Sequence, residues 1–354
     1  MIRNHHFFHS YMFSLVSLVV SILPVLGCSS SSDGEPSRDV PPAPAPVVEK
    51  YRNPIISTSL PDPSIVRTAD GTFYLFATED IRNLPIYRSA DLLRWEYVGT
   101  AFTDESRPKW NPQGGLWAPD INYVDGQYLL YYSKSTWGGE WTCGLGVATA
   151  SRPQGPYTDH GALFISQDIG VQNSIDPFFI EEDGKKYLFW GSFRGIYGIQ
   201  LSDDGLSVKA GAKPVQIAGH QMEATYIHRR DGYYYLFGSN GTCCEGNNST
   251  YQVVYGRSKS LFGPYVTKDG QRMLDGAFDV LLHSSSNVAG PGHNAEIITD
   301  DKGQDWMIYH GYMKSDPDAG RQVLMDRVEW FNGWPLISGS QSSVESRSPS
   351  FNQK

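Results

Sequence analysis

An Asp-Gly pair followed at once by an aromatic strand recurs along the chain, and that repeat leaves few folds open. Asp70-Gly71 precedes Phe73 to Phe76, and Asp125-Gly126 precedes Tyr128 to Tyr132. Asp183-Gly184 precedes Tyr187 to Trp190, and Asp231-Gly232 precedes Tyr233 to Phe237. A degenerate fifth copy, Asp301-Lys302-Gly303, stands before Trp306 to Tyr309. The copies lie between 48 residues (183 to 231) and 70 residues (231 to 301) apart. Asp-Gly readily adopts the positive φ angles of a tight hairpin. Short apolar runs bounded by Gly, Asp, Asn and Pro surround each copy, whereas helical periodicity is scarce. A second echo follows, in which Thr149 to Tyr157 parallels Gly256 to Tyr265. Each unit reads as four strands, and five such units predict an all-β, five-bladed β-propeller. A β-sandwich is the competing architecture.

The ends read differently. Arg3 precedes an apolar run that closes in Val25-Leu26-Gly27-Cys28, the pattern of a cleaved secretory signal. Gly-Cys at its end resembles a bacterial lipobox, which implies acylation of Cys28. The expected organisation is a lipoprotein signal peptide over 1–27, a Ser/Pro-rich tether over 28–48, the five-bladed propeller over 49–338 and a loose Ser-rich tail over 339–354. An exported, membrane-anchored lipoprotein follows, periplasmic or at the cell surface, with the membrane met only through the anchor. A net charge of −9 without a basic patch argues against a nucleic-acid partner. Cys143, Cys243 and Cys244 remain once Cys28 is set aside. The adjacent pair is open to a vicinal disulfide or to two free thiols.

In a propeller the first strand of each blade lines the central channel, and the Asp-Gly turn marks its end. Asp62, Asp176, Glu223 and His293 each stand seven or eight residues before a turn (62 to 70, 176 to 183, 223 to 231, 293 to 301), as does Trp117 (117 to 125). These side chains are expected to meet at one mouth of the channel. Converging carboxylates suit glycoside hydrolysis, where one group donates a proton to the leaving oxygen and another, ionised, activates water. A third carboxylate raises the acid's pKa by repulsion.

The segments Leu60 to Ile65, Asn173 to Phe178 and Glu223 to Ile227 resemble those of family 43 glycoside hydrolases. The resemblance implies Asp62 as general base, Asp176 as pKa modulator and Glu223 as general acid. Thr225 departs from the proline usual after Glu-Ala. Ser133 to Gly138, Gly191-Ser192-Phe193, Cys243-Cys244 with Ser249-Thr250-Tyr251, and Gly290-Pro291-Gly292-His293 are similar to the endo-arabinanase branch. Asn294 departs from the glycine many of its members carry there. The implied substrate-binding residues are Trp117, Trp137, Gly138, Asn173, Ser174, Ile175, Gly191, Ser192, Phe193 and Arg321. The implied cation is one calcium near His293, held mainly through waters because calcium prefers oxygen. The expected activity is inverting hydrolysis of α-1,5-linked L-arabinan by a monomer. Exo-acting α-L-arabinofuranosidase or β-xylosidase is the nearer alternative, and a non-catalytic glycan-binding lipoprotein the more distant one.

Overall fold

A computed structural model describes residues 49–111 and 113–351. The signal, the tether and Cys28 lie outside the described residues, as do 352–354.

Strand β1 (Lys50–Arg52) precedes five sheets. Blade one holds β2 (Ser64–Arg67), β3 (Phe73–Phe76), β4 (Pro85–Ser89) and β5 (Glu96–Thr100). Blade two holds β6 (Gly115–Val124), β7 (Gln127–Ser135), β8 (Gly144–Ala150) and β9 (Thr158–Ile165). Blade three holds β10 (Phe178–Glu182), β11 (Lys185–Trp190), β12 (Ile196–Gln200) and β13 (Val215–Ala218). Blade four holds β14 (Glu223–Arg230), β15 (Tyr233–Asn240), β16 (Gln252–Ser258) and β17 (Asp279–Leu282). In blade five the innermost strand is split into β18 (Val288–Gly292) and β19 (Ile298–Thr299), followed by β20 (Asp305–Met313), β21 (Gln322–Phe331) and β22 (Trp334–Leu336). Every neighbouring pair within a blade is antiparallel, so the chain forms a five-bladed β-propeller.

The turns explain the blade count. Asp125-Gly126, Asp183-Gly184 and Asp231-Gly232 all carry positive φ at both residues, as a two-residue primed hairpin requires. Blades one and five differ from the expectation, because only the glycine, Gly71 or Gly303, is left-handed. There the loop is longer, with Thr68 N–H bonded to Thr72 O and Asp300 N–H to Gln304 O.

Sheets stacked around a ring are covered on both faces, so inner strands lose the usual polar alternation. All four residues of β3 are buried. The apolar core lies between blades: Phe76 packs with Leu130, Tyr131 with Leu188, Phe178 with Tyr226, and Ile308 with Leu75 in successive clusters. Tyr131 stacks on Phe179 of the next blade with ring centroids 5.4 Å apart.

Ring closure uses the segment just before blade one. β22 pairs only with the far half of β21. Beside the near half runs 53–60. Ile55 N–H donates to Val323 O at 2.9 Å, Leu60 N–H to Arg321 O at 3.0 Å, and the Asn53 side chain brackets Met325.

The Ser-rich tail was expected to be loose, and the structure corrects this for 339–351. β23 (Glu345–Arg347) pairs with β1, although its partner lies almost a whole chain away. Phe351 meets Phe73 edge-on at 4.9 Å, with the Arg67 guanidinium over its ring. Between these anchors Ser348 N–H donates to Glu49 O at 2.9 Å and Ser350 N–H to Asp300 Oδ2 at 3.1 Å.

Candidate active site

Each blade's inner strand carries one left-handed, non-glycine residue at the channel mouth: Asp62, Ala118, Asp176, Ala224 and His293. Left-handed φ at such residues is uncommon and needs support from its surroundings. The support is a ring of hydrogen bonds between blades. Ala118 N–H donates to Thr78 Oγ1 at 2.7 Å, Asp176 N–H to Ser133 Oγ at 2.9 Å, and His293 N–H to Ser239 Oγ at 2.8 Å. Asp62 N–H donates to His310 Nδ1 at 3.0 Å and closes the ring. Glu223 and Trp117 sit one residue before their left-handed position, a refinement of the equal spacing expected from sequence.

These four acceptors have a common register, seven residues past the turn glycine (71 to 78, 126 to 133, 232 to 239, 303 to 310). That spacing was a usable signal, missed because Thr, Ser and His share an acceptor and not a residue type. In blade three the same register falls on Gly191 (184 to 191), which has no side chain to offer. There the Asp176 carboxylate itself takes the Ala224 N–H, at 3.1 Å. A Cβ on Gly191 would lie 2.1 Å from Gly195 O, so the position admits only glycine.

A cleft of about 640 Å³ opens over this ring. Asp62, Asp176, Glu223, His293, Trp117, Trp137, Gly138, Asn173, Ile175, Ser192, Phe193 and Arg321 all line it. Two expected substrate contacts do not. Ser174 is fully buried, its hydroxyl bonded to Val171 O and to the Trp190 indole N–H. Gly191 lies behind the wall, its N–H bonded to Ile175 O. Both shape the cleft from beneath and are corrected to that role. Trp137 is 79% exposed and its ring lies 5.6 Å from that of Trp117, which gives an aromatic ledge on blade two. Sequence reasoning missed Thr78, the bond from the Tyr251 hydroxyl to Glu223, and the Arg194–Glu140 pair at the rim (2.9 Å). The last joins side chains of different blades and has no local signature.

The carboxylates differ sharply in surroundings. Asp62 Oδ1 lies 3.2 Å from Arg321 Nη1 and 3.1 Å from His293 Nδ1. The Thr78 hydroxyl donates to its Oδ2 at 2.5 Å. Burial alone would raise this carboxyl, but Arg321 and His293 outweigh it and hold the pKa well below the usual value. Burial would likewise lower His293, yet Asp62 raises it above the ordinary imidazole value. Asp176 has no such cation in bonding contact. Burial outweighs the pull of His293 and, with added repulsion from Glu223 and Asp62, pushes it up to about 8. Glu223 is raised too, first by burial, although the hydroxyls of Ser192 (2.5 Å) and Tyr251 (2.7 Å) donate to it. His310, buried and pushed down to about 4, is neutral, and it stacks on Tyr251 with ring centroids 5.7 Å apart.

The residues do not form a direct cage for calcium. Among the described residues no three His, Cys, Asp or Glu side chains converge as a metal needs, and His293 Nδ1 is already committed to Asp62. No chemistry here is routed through a cation.

A propeller whose channel mouth joins one ionised carboxylate to a proton-holding pair, beneath an aromatic cleft, is a glycoside hydrolase. The sequence profile described as glycosyl hydrolases family 43 matches residues 51–335. The chain belongs to that family. An arabinan endo-1,5-α-L-arabinosidase A of Aspergillus niger is 32% identical over 294 residues, which span 78% of this chain and 90% of the relative. An extracellular exo-α-(1→5)-L-arabinofuranosidase of Cellvibrio japonicus is 33% identical over 307 residues, 78% of this chain and 85% of that one. The structure of a Cellvibrio cellulosa α-L-arabinanase complexed with arabinohexaose superposes with a TM-score of 0.72 at 32% identity, covering 79% of this chain and 95% of the other.

Proposed function

We propose that this enzyme cleaves internal α-1,5 linkages of L-arabinan with inversion of configuration. The observation that carries the reading is the split electrostatics of the cleft: Asp62 is held ionised while the Asp176–Glu223 pair keeps a proton. Asp62 takes a proton from water as the water oxygen attacks the anomeric carbon. The glycosidic C–O bond breaks, and Glu223 gives its proton to the departing oxygen. Asp176 holds the Ala224 backbone, and the two buried carboxyls resist ionising together, so one proton stays in the pair for Glu223 to donate. Trp117, Trp137 and Phe193 offer apolar faces to the sugar chain. The arabinan-cleaving relatives support the substrate.

Product size tests the mode of action. Linear arabinan digested briefly should yield mixed oligosaccharides, and the first anomer released should be β by NMR. Arabinose alone would favour exo action, which relatives named as exo-acting keep as a second reading.

Export and acylation at Cys28 belong to the same proposal. Extracellular relatives and the bonded Cys243–Cys244 pair, which suits an oxidising compartment, support export. Labelled palmitate should enter the wild type and not Cys28→Ala. A hydrated calcium near His293 is also proposed, and chelation should then lower Tm. Size-exclusion light scattering checks the proposed monomer.

A further inference from the structure

Cys243 and Cys244 are bonded to each other and stand in the wall of the cleft that holds Asp62, Asp176 and Glu223. Cysteine is ordinarily among the most buried residue types. Cys143 obeys that rule as a buried free thiol, whereas Cys244 is exposed and Cys243 half-buried. Two sulfurs are thus held out towards the substrate's space.

The loop that carries them is fixed at its root. Gly241 is left-handed, and a Cβ there would come within 2.5 Å of Thr250 O. Thr242 N–H donates to Thr250 Oγ1 at 3.0 Å, and Thr250 N–H returns to Thr242 Oγ1 at 3.2 Å. Tyr251 N–H donates to Thr242 O at 3.1 Å, and the Tyr251 hydroxyl then reaches Glu223 Oε1 at 2.7 Å. The sulfur pair therefore keeps a set position relative to the acid.

Apolar surface is unevenly supplied around the cleft. Blades two and three contribute Trp117, Trp137 and Phe193. Blade four contributes Glu223, Gly241, Thr242, Glu245 and a Tyr251 whose ring is buried. The disulfide is what remains to meet a carbon face on that side. Bonded sulfurs donate no hydrogen bonds, are polarisable, and lose little freedom on binding because the ring between adjacent residues is already closed.

We propose that the Cys243–Cys244 disulfide is a substrate-contacting wall that selects the C–H face of the sugar unit lying on the Glu223 side of the cleft. The proposal rests on the arabinan-hydrolase reading and adds a specificity determinant to it. Two free thiols in its place would rotate independently and present S–H donors to the same face.

The test compares the full-length enzyme with the Cys243→Ser/Cys244→Ser double variant, and with wild type reduced by a phosphine under native conditions. Steady-state kinetics are run on oligosaccharides of the glycan that the wild type cleaves. KM should rise about tenfold with a smaller effect on kcat, as for a lost apolar contact. The alkaline limb of the pH profile should stay where it is. An unchanged KM would overturn the proposal. So would a moved alkaline limb, which would mean that the bond acts by holding Tyr251 on Glu223. Circular dichroism checks folding; if the double variant does not fold, the reduced wild type gives the decisive reading. A wild type inactive on arabinan but active on another glycan sinks the substrate assignment and leaves this comparison intact.

Discussion

The Asp176 carboxylate accepts the backbone N–H of Ala224 at 3.1 Å, in the place that a Thr, Ser or His side chain fills in the other blades. Glycine at 191 offers no side-chain acceptor at that register, and Asp176 takes over the role. One side chain thereby supports the strand bearing the acid and sets the charge beside it. Asp176→Asn keeps an oxygen for the N–H and removes the charge. Its kcat should fall by roughly 10²-fold with KM little changed, within the range for general acid–base groups. Asp176→Ala loses both and should also unfold at a lower temperature in a melting scan.

The pH profile should be broad on the acid side and limited on the alkaline side. Asp62 stays ionised to well below the usual carboxylate range, so the base is lost only in strong acid. The proton shared by Asp176 and Glu223 is lost as pH rises through about 8, and activity should fall there. Reducing-end release from arabinan across a buffer series checks both limbs.

Arg321→Met removes the cation on Asp62 Oδ1. The base pKa then rises, and the acid limb should move to higher pH by about one unit. An unmoved limb with unchanged kcat/KM would contradict the pairing.

Glu223→Ala should lower kcat/KM on arabinan by about 10³-fold. The loss should shrink on an arabinoside with a leaving group acidic enough to depart unprotonated. Equal losses on both substrates would show that Glu223 is not the acid.

Truncation after Ser338 removes β23 and Phe351. The clasp on β1 and the Phe351–Phe73 contact go with them, and Tm should drop by roughly 5 °C. A truncated enzyme melting with the wild type would mean that the pairing adds nothing.

The blade count was legible because hairpin turns are local: Asp-Gly needs only its own backbone to mark a strand's end. Asp62, Asp176, Glu223 and His293 were legible for the same reason, since each keeps nearly fixed distance from such a turn. Tyr251 was visible as part of a motif but not as Glu223's hydrogen-bond donor, because that contact depends on how a loop returns. The tail misled because its serines read as polar linker, while its order comes from β1 and Phe73 on the far side of the sequence. His310 shared a register with Thr78, Ser133 and Ser239, but its role is to accept from a backbone 248 positions earlier, and its residue type gave no hint of that.

The seam between 53–60 and β21 has a temporal meaning. Asp62 leaves the ribosome long before Arg321, its partner 259 positions later. The base acquires its counter-charge only when both margins of the ring have met, through Leu60 on Arg321 and Ile55 on Val323. A chain ended before Arg321 would carry every acid and still lack a tuned one, so catalytic competence reports that the whole circle has been assembled.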